Sequence, residues 1–276
     1  MTPWDYLCIG HITRDILEEG DLLGGTAAYS GHVARTLGCK TAVLTSCAPA
    51  FSGLQKMTGL SVNNVPASET STFENVYHNN ERVQTLHARA LTLQAKHLPA
   101  GWETSLIVHF GPVCNEIDSD MIERFPNSLI GMTPQGWMRR WDERGHVFTA
   151  EWALAEQTLP AADVVILSAE DIHDRQMLQE MIALSKLLIM TENVAGCKLF
   201  MNGEVTQVPA PSVPLVEPTG AGDIFAAAFL VEYMRNGREP FQAAHFANFI
   251  AAHSITQTGL PAKMDLLTDL LQQKAK

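Results

Sequence analysis

The sequence lacks the signatures of several protein classes. Its five cysteines form no CxxC pair, and their odd number argues against a disulfide framework or a structural zinc site. Lysine and arginine total 19 against 30 aspartate and glutamate residues, and this net charge of −11 argues against a nucleic-acid partner. No window of about 18 residues is apolar enough to cross a membrane, and no signal peptide is recognisable at the N-terminus. Together these absences predict a cytoplasmic protein.

Short apolar runs alternate with helical patterns along the 276 residues. The predicted strands are 6–10, 41–47, 105–111, 128–133, 163–168 and 186–191. The predicted helices are about 25–37, 118–125, 173–185, 222–236, 240–257 and 264–274. The strands are apolar on both faces, as strands buried between helix layers are. The alternation therefore predicts an α/β fold with a mostly parallel sheet covered on both sides.

Two stretches interrupt this alternation and predict β-hairpins. Residues 70–90 carry Thr, Phe, Val and Tyr on both sides of the polar HNNE, and they are suited to a small lid. Residues 197–210 contain Asn202-Gly203, which is the strong sequence signal for a two-residue hairpin turn.

The stretch EPTGAGDIFAAAF, residues 217–229, places a glycine-rich turn immediately before an apolar helix. Gly220 and Gly222 permit a close approach of another group, and the helix that follows begins with free N–H groups and a positive dipole end. Such a turn favours an anion. Asp223 can then be a helix cap, or it can be a general base that serves a nucleophile beside a bound phosphoryl group.

Two other nucleotide motifs fit the sequence poorly. The Walker A pattern GxxxxGK[ST] does not occur. GAGDIFA loosely matches the GxGxxA of dinucleotide-binding folds, but that motif belongs to a first βα turn, whereas this turn lies near the C-terminus and is followed by helical patterns.

Three blocks resemble the PfkB, or ribokinase-like, sugar kinases. EPTGAGDIFAAAF is similar to their C-terminal signature D-x-T-G-A-G-D, and LGGTAAYSGHVARTLG (23–38) is similar to their N-terminal di-glycine signature. The first strand and GHITRDIL (10–17) match the family opening, so the resemblance spans nearly the whole chain. It implies one doubly wound α/β domain over residues 1–276, with a small β lid from parts of 11–22 and 68–92.

The resemblance implies a catalytic role for the glycine-rich turn. Asp223 would deprotonate the acceptor hydroxyl, and the backbone N–H groups of Gly220, Ala221 and Gly222 would form an anion hole for the γ-phosphoryl group of ATP. The implied nucleotide contacts are Thr191, Asn193, Gly196, Thr219, Gly220, Gly222 and Asn248.

The implied acceptor contacts begin with Asp15 and the Gly24-Gly25 turn, since a carboxylate accepts hydrogen bonds from two adjacent hydroxyls. Residues 70–84 and 132–145 are similar to the inositol-kinase-like branch of the family. This similarity adds Arg82, Gln84 and Gln135 as candidate acceptor contacts.

The block linked to magnesium departs from the family pattern N-x-x-E. SAED stands in its place, and Glu170 and Asp171 are the candidate ligands of Mg²⁺, through water. TENVAG (191–196) resembles the nucleotide turn T-x-G-x-x-G with Asn193 at the middle glycine position. Asn tolerates left-handed backbone geometry better than most residues do, so the turn is expected to form.

The resemblance favours an ATP-dependent phosphotransferase that acts on a hydroxyl of a small sugar or polyol, with a cyclitol such as inositol preferred. Tyr29 stands where ribokinase-type sequences carry an Asn, which argues against ribose. A nucleoside kinase of the same fold is an alternative, with Phe73, Tyr77 and Tyr29 available for stacking. A catalytically silent nucleotide-binding regulator is another, and a homodimer through the lid stays open.

Overall fold

The computed structural model describes residues 3–17, 20–78 and 81–274. The strands are β1 (Tyr6–Ile9), β2 (Thr13–Leu17), β3 (Gly20–Gly24), β4 (Thr41–Cys47), β5 (Ser61–Pro66), β6 (Thr72–His78), β7 (Glu81–Ala88), β8 (Ile107–Phe110), β9 (Leu129–Met132), β10 (Arg139–Trp141), β11 (Val147–Thr149), β12 (Val164–Ser168), β13 (Leu188–Thr191), β14 (Cys197–Met201) and β15 (Glu204–Val208). The α-helices are α1 (Thr26–Thr36), α2 (Ser52–Gln55), α3 (Ala155–Thr158), α4 (Arg175–Leu184), α5 (Ala221–Arg235), α6 (Pro240–Ser254) and α7 (Leu260–Lys274). Short 3-10 helices occupy Ala95–His97, Trp102–Thr104, Ser119–Arg124, Pro134–Gly136, Leu159–Ala161, Ala169–Asp171 and Asn193–Ala195.

The main sheet confirms the predicted α/β fold. In the described part of the chain it has nine strands in the order β15-β14-β13-β12-β9-β8-β1-β4-β5. The pairs from β13 to β5 are parallel, and β14 and β15 form an antiparallel hairpin at one edge. All six predicted strands belong to this sheet. Across the described ranges, no helix is both long and apolar enough to span a membrane.

Strand β1 illustrates why the sheet needs helices on both faces. Tyr6 and Cys8 point into one hydrophobic core, shared with α1, α5, α6 and α7, while Leu7 and Ile9 point into a second core on the other face. Successive side chains of a strand point to opposite faces, so a strand of four buried residues has to be covered twice.

The chain reverses its direction across the sheet at β1. After β1 it runs outward through β4 and β5, and then returns to the other side of β1 to build β8, β9, β12 and β13. In open parallel sheets, ligands bind beyond the carboxyl ends of the strands at such a switch point. The crevice therefore lies where the chain leaves β1 and β8.

A smaller sheet stands beside the crevice, with four described strands in the order β3-β2-β6-β7. The predicted hairpin at 70–90 forms β6 and β7, and the second predicted hairpin forms β14 and β15. Asn202 and Gly203 have φ values of 54° and 79°, the left-handed geometry that the two-residue turn requires.

Two helix predictions were wrong in detail. The helix predicted at 118–125 is a 3-10 helix over Ser119–Arg124, because Pro126 disfavours helical geometry at Phe125 (φ −124°, ψ 56°). Helix α7 begins at Leu260, four residues before the predicted start at 264. Pro261 is tolerated there because it lies in the first turn, where its missing N–H costs no helical hydrogen bond.

Candidate active site

A cavity of about 680 Å³ lies at the carboxyl ends of the parallel strands and at the N-terminus of α5. Its lining includes Thr133 just after β9, Ser168 at the end of β12 and Thr191 at the end of β13. The polar and aromatic lining residues are Thr13, Asp15, Thr26, Tyr29, Phe73, Asn75, Gln84, Thr133, Gln135, Arg139, Ser168, Glu170, Asp171, Thr191, Asn193, Thr219 and Asp223. The glycine-rich turn thus shares one crevice with Asp15, Gly25, Gln84 and Gln135 of the predicted acceptor residues.

The glycine-rich turn forms the start of α5. Gly220 is the N-cap residue and has a left-handed backbone with φ 78°. Its carbonyl accepts the first helical hydrogen bond, from the N–H of Ile224. Within the described ranges, the N–H groups of Gly220 and Gly222 have no acceptor, whereas the N–H of Ala221 donates to the Pro218 carbonyl. The predicted anion hole therefore has to be corrected: Gly220 and Gly222 remain as donors, and Ala221 closes the turn.

Asp223 is not a helix cap. No side chain caps α5, and the Asp223 carboxyl instead accepts a hydrogen bond from Thr26 at the start of α1. The Ser30 hydroxyl donates to the Asp223 carbonyl at 3.0 Å, which fixes the same residue to α1 a second time. The carboxyl is held on the cavity wall by neighbours that leave it facing the crevice.

Burial raises the pKa of Asp223 to about 6, although the Thr26 hydrogen bond and the Arg139 charge oppose the shift. The carboxylates of Asp15 and Asp171 raise this pKa further. A base works best when its pKa lies near the operating pH, and a shift of this kind at a cleft is typical of acid–base residues.

The raised pKa predicts an acidic limit to activity. Asp223 must be ionised to accept a proton, so we expect kcat/KM to fall as pH decreases through about 6. An unshifted Asp would hold activity down to about pH 4. The measurement is a pH–rate profile with circular dichroism recorded at each pH. A profile that stays flat to about pH 5 in the folded protein would contradict the raised pKa of Asp223.

Asp15 lines the cavity from the middle of β2 in the small sheet. The Thr13 hydroxyl donates to Asp15 Oδ1 at 2.8 Å, which orients the carboxylate. Gly24 lies so close that a Cβ there would be 2.2 Å from Asp15 Oδ2 and 2.6 Å from Thr13 Oγ1. Gly25 also lines the cavity and has φ 88°. The di-glycine turn therefore leaves space for the Asp15 carboxylate.

Gly24→Ala should damage acceptor binding selectively. The added methyl group displaces the Asp15 carboxylate, so we expect the acceptor KM to rise by about tenfold or more while the donor KM stays within about threefold. Gly38→Ala is a control for a glycine replaced without a steric clash, because a Cβ there meets no atom within 4 Å, and its φ of 85° adds backbone strain that Gly24→Ala lacks. An unchanged acceptor KM in a folded Gly24→Ala variant would remove Asp15 from the acceptor site.

The hairpin β6–β7 contributes Phe73, Asn75 and Gln84 to the cavity. Gln84 Nε2 donates to Asn75 Oδ1 at 2.9 Å across the two strands, so the amides are preorganised. The side chain of Arg82, another predicted acceptor contact, lies outside the described part of the structure.

Arg139 is a site residue that the sequence analysis missed. It lines the cavity, donates from Nη1 to the Val113 carbonyl at 3.0 Å, and lies 5.8 Å from the centre of the Phe73 ring. Its charge lowers the pKa of Asp223. The segment MRRW contains two adjacent arginines, and the sequence does not show which of them lines the cavity. In the structure, Arg140 Nη1 donates to the nearby carbonyls of Trp137 and Arg139.

The acidic pair Glu170 and Asp171, which follows β12, also lines the cavity. Asp171 Oδ2 accepts from the Ser168 N–H at 3.0 Å, and Asp171 Oδ1 accepts from Gln135 Nε2 at 2.8 Å. Glu170 Oε1 accepts from Asn193 Nδ2 at 3.0 Å. Carboxylate oxygens suit Mg²⁺, which takes few protein ligands and keeps waters, so Glu170 and Asp171 fit a water-mediated ion. Gln135 therefore contacts the acidic side of the cavity.

The predicted nucleotide turn forms with the expected geometry. Asn193 has φ 50° and Gly196 has φ 91°, so Asn193 adopts the left-handed conformation expected of it. Thr191, Asn193 and Thr219 line the cavity. Asn248 does not: it is buried in α6, where Nδ2 donates to the Val208 carbonyl at 2.9 Å. Its assignment to the nucleotide was wrong, because its side chain fixes α6 to the end of β15.

Residues 154–265 match the model of the pfkB family carbohydrate kinases. The matched segment contains the acidic pair, the turn at 191–196 and the glycine-rich turn with Asp223. The C-terminal half of the chain thus contains a segment that is similar to the pfkB family carbohydrate kinases.

The chain is also similar to curated kinases of several kinds. An inositol 3-kinase of Zea mays is 34% identical over 94 residues, covering 32% of this chain and 24% of that protein. A cytidine kinase of Thermococcus kodakarensis is 23% identical over 251 residues, covering 84% and 89% of the two chains. The alignments with four of the curated relatives, the maize protein among them, span only 18–37% of the relative's own length.

A solved structure confirms the ribokinase-like fold. It is a pyrophosphate-dependent kinase in the ribokinase family, complexed with a pyrophosphate analog and myo-inositol. The two chains superpose with a TM-score of 0.80 at 22% identity, over 95% of this chain and 98% of the other.

Proposed function

We propose that this protein is a kinase of the pfkB family and transfers a phosphoryl group from a nucleotide or polyphosphate donor to a hydroxyl of a small polyol. The observation that carries the proposal is Asp223. Its carboxyl has a pKa of about 6 and lies in the first turn of α5, beside donors suited to an anion and in the same cavity as Asp15. A binding protein has no need of a base at this position.

The geometry supports a simple division of roles. Asp15 and the Asn75–Gln84 amide pair hold acceptor hydroxyls, and Asp223 takes the proton from the hydroxyl that attacks. The N–H groups of Gly220 and Gly222 stabilise the negative charge that spreads over the phosphoryl oxygens, as phosphoryl transfer requires. Magnesium, when bound near Glu170 and Asp171, would neutralise charge on the donor phosphates.

The acceptor side favours a polyhydroxylated ring over a nucleoside. The cavity wall offers hydroxyl, amide and carboxylate groups, which match an acceptor with several hydroxyls. A nucleobase needs a free aromatic face. The Tyr29 ring lies against Gly220, where a Cβ would be 2.3 Å away, and the Phe73 ring faces the Arg139 guanidinium. We therefore favour a cyclitol such as inositol as the acceptor.

The donor is proposed to be ATP with Mg²⁺, as the family resemblance implies. Pyrophosphate is the second candidate, because it is named for the structural neighbour described above. Both donors present a terminal phosphoryl group to the same glycine-rich turn, so the donor assay has to include both.

The proposal is tested with a panel of acceptors. Purified protein is incubated with Mg-ATP or Mg-pyrophosphate and, separately, with cyclitols, hexoses, pentoses or nucleosides, and phosphorylated products are quantified. We expect turnover with a cyclitol or a related polyol. Turnover restricted to nucleosides would overturn the assignment of acceptor class, and donor binding without turnover on any acceptor would favour a silent scaffold.

A further inference from the structure

Lys263 is a buried charged residue that does not line the cavity. It lies in the first turn of α7, its side chain is 0% exposed, and it is among the largest fully buried side chains of the described chain. A lysine is almost never fully buried unless its charge is paired. The partners of this ammonium therefore indicate what it does.

The partners all belong to the segment that precedes the anion turn. Lys263 Nζ donates to the Glu217 carbonyl at 2.8 Å and to the Thr219 carbonyl at 2.7 Å. Glu217 Oε2 lies 3.6 Å from the same nitrogen and also accepts from the Gly259 N–H at 2.6 Å. One ammonium thus ties the glycine-rich turn to the start of α7.

The hydrogen bond from Lys263 to the Thr219 carbonyl also fixes the orientation of the next N–H group, that of Gly220. A trans peptide is planar, and its C=O and N–H point in opposite directions. Because the Thr219 carbonyl is held by Lys263, the N–H of Gly220 in the same peptide unit points away from the lysine. The Gly220 N–H has no acceptor among the described residues, and Gly220 lines the cavity. Orienting one end of this peptide therefore orients the donor at the other end.

We propose that Lys263 is a positioning residue, an internal cation that orients the Gly220 peptide and so preorganises the anion site at the start of α5. This inference deepens the proposed function and relies on the same site. The lysine does not touch the substrate. It acts through the Thr219 and Glu217 carbonyls, and its charge is paired with the Glu217 carboxylate.

The test uses two variants that differ in the volume they leave empty at the position of the Lys263 side chain. Lys263→Ala removes the ammonium and leaves room for a small cation among the oxygens of Glu217 and Thr219. Lys263→Met also removes the charge but fills the space with an apolar chain. Each variant is measured in ammonium chloride and in sodium chloride at equal ionic strength, with Lys186→Ala as an exposed lysine control.

The first readout is the binding of inorganic pyrophosphate in the presence of Mg²⁺, measured by calorimetry. It reports the anion site whether or not an acceptor is known, so it separates this inference from the proposed function. We expect Lys263→Ala in sodium chloride to bind pyrophosphate at least tenfold more weakly than the parent protein. Ammonium should restore most of that loss in Lys263→Ala and none of it in Lys263→Met.

The second readout is turnover with the acceptor found in the panel. We expect kcat to fall by about 10² in Lys263→Ala, with an acceptor KM within about threefold, because small misplacements of a catalytic group cost about this much. Ammonium should again restore activity to the alanine variant alone. Absence of turnover in the parent protein would remove the proposed function and leave the binding test intact.

Two results would overturn the inference. One is a folded Lys263→Ala that binds pyrophosphate within about threefold of the parent protein, which would make the lysine a packing residue. The other is a loss of binding that ammonium does not restore better than sodium does. If Lys263→Ala fails to fold, Lys263→Met retains the buried aliphatic chain, and normal pyrophosphate binding by it would equally reject the inference.

Discussion

Asp223→Asn is expected to reduce the chemical step by about 10²–10⁴, the usual contribution of a general base. The change keeps the shape of the side chain and removes only its capacity to accept the proton. Donor binding should remain within a few-fold, because the N–H groups of Gly220 and Gly222 are untouched. The melting temperature should not fall, since burial already disfavours the ionised carboxyl and raises its pKa to about 6.

Asp174→Asn is the matched control for this variant. Asp174 is a true helix cap, whose Oδ1 accepts from the Met177 N–H at the start of α4, and it does not line the cavity. We expect parental kinetics from it. The measurement is single-turnover transfer at saturating donor and acceptor. A loss smaller than about tenfold in Asp223→Asn would reject Asp223 as the base.

Gly220→Ala is expected to abolish most activity by a different route. Gly220 has φ 78°, and a Cβ there would lie 2.3 Å from the ring of Tyr29. Tyr29 is 3% exposed, so the ring has little freedom to move away. The turn must therefore shift and carry its N–H donors with it. Loss of one such donor costs about 10²–10³ in rate, and we expect a decrease of at least that size with weaker donor binding.

Gly237→Ala separates backbone strain from loss of the site. Gly237 has the same φ of 78°, but a Cβ there meets nothing within 4 Å, and the residue follows the far end of α5. Left-handed geometry costs an L-residue roughly 1–2 kcal/mol, so both variants should lose stability. Only Gly220→Ala should lose turnover and pyrophosphate binding. Equal kinetics in the two variants would contradict the anion site at Gly220.

Local sequence patterns were sufficient for the main elements of this fold. The buried strands have apolar side chains on both faces, which is a strong local signal, and the Asn202-Gly203 turn requires a geometry that few residue pairs adopt. The start of α7 was misplaced because Pro261 interrupts a helical pattern in sequence, although it is harmless in a first turn.

The parts of the site that the sequence did not predict depend on long-range contacts. Lys263 meets Glu217 across 46 residues of chain, and no local pattern marks a lysine that will be buried. Arg139 and Arg140 are adjacent in sequence, and only the fold determines that Arg139 lines the cavity whereas Arg140 does not. Asn248 was named as a nucleotide contact from the family resemblance, whereas its side-chain amide donates to the Val208 carbonyl.

The most direct test of the central claim is mass-spectrometric detection of a phosphorylated polyol made by the purified protein. The parent protein and Asp223→Asn are incubated with Mg-ATP or Mg-pyrophosphate and a mixture of cyclitols, hexoses, pentoses and nucleosides. We expect the parent protein to make a phosphomonoester of a polyol, with a cyclitol favoured, and the variant to make at least a hundredfold less of it. Donor binding without any phosphorylated acceptor, or equal product from both proteins, would contradict the central claim.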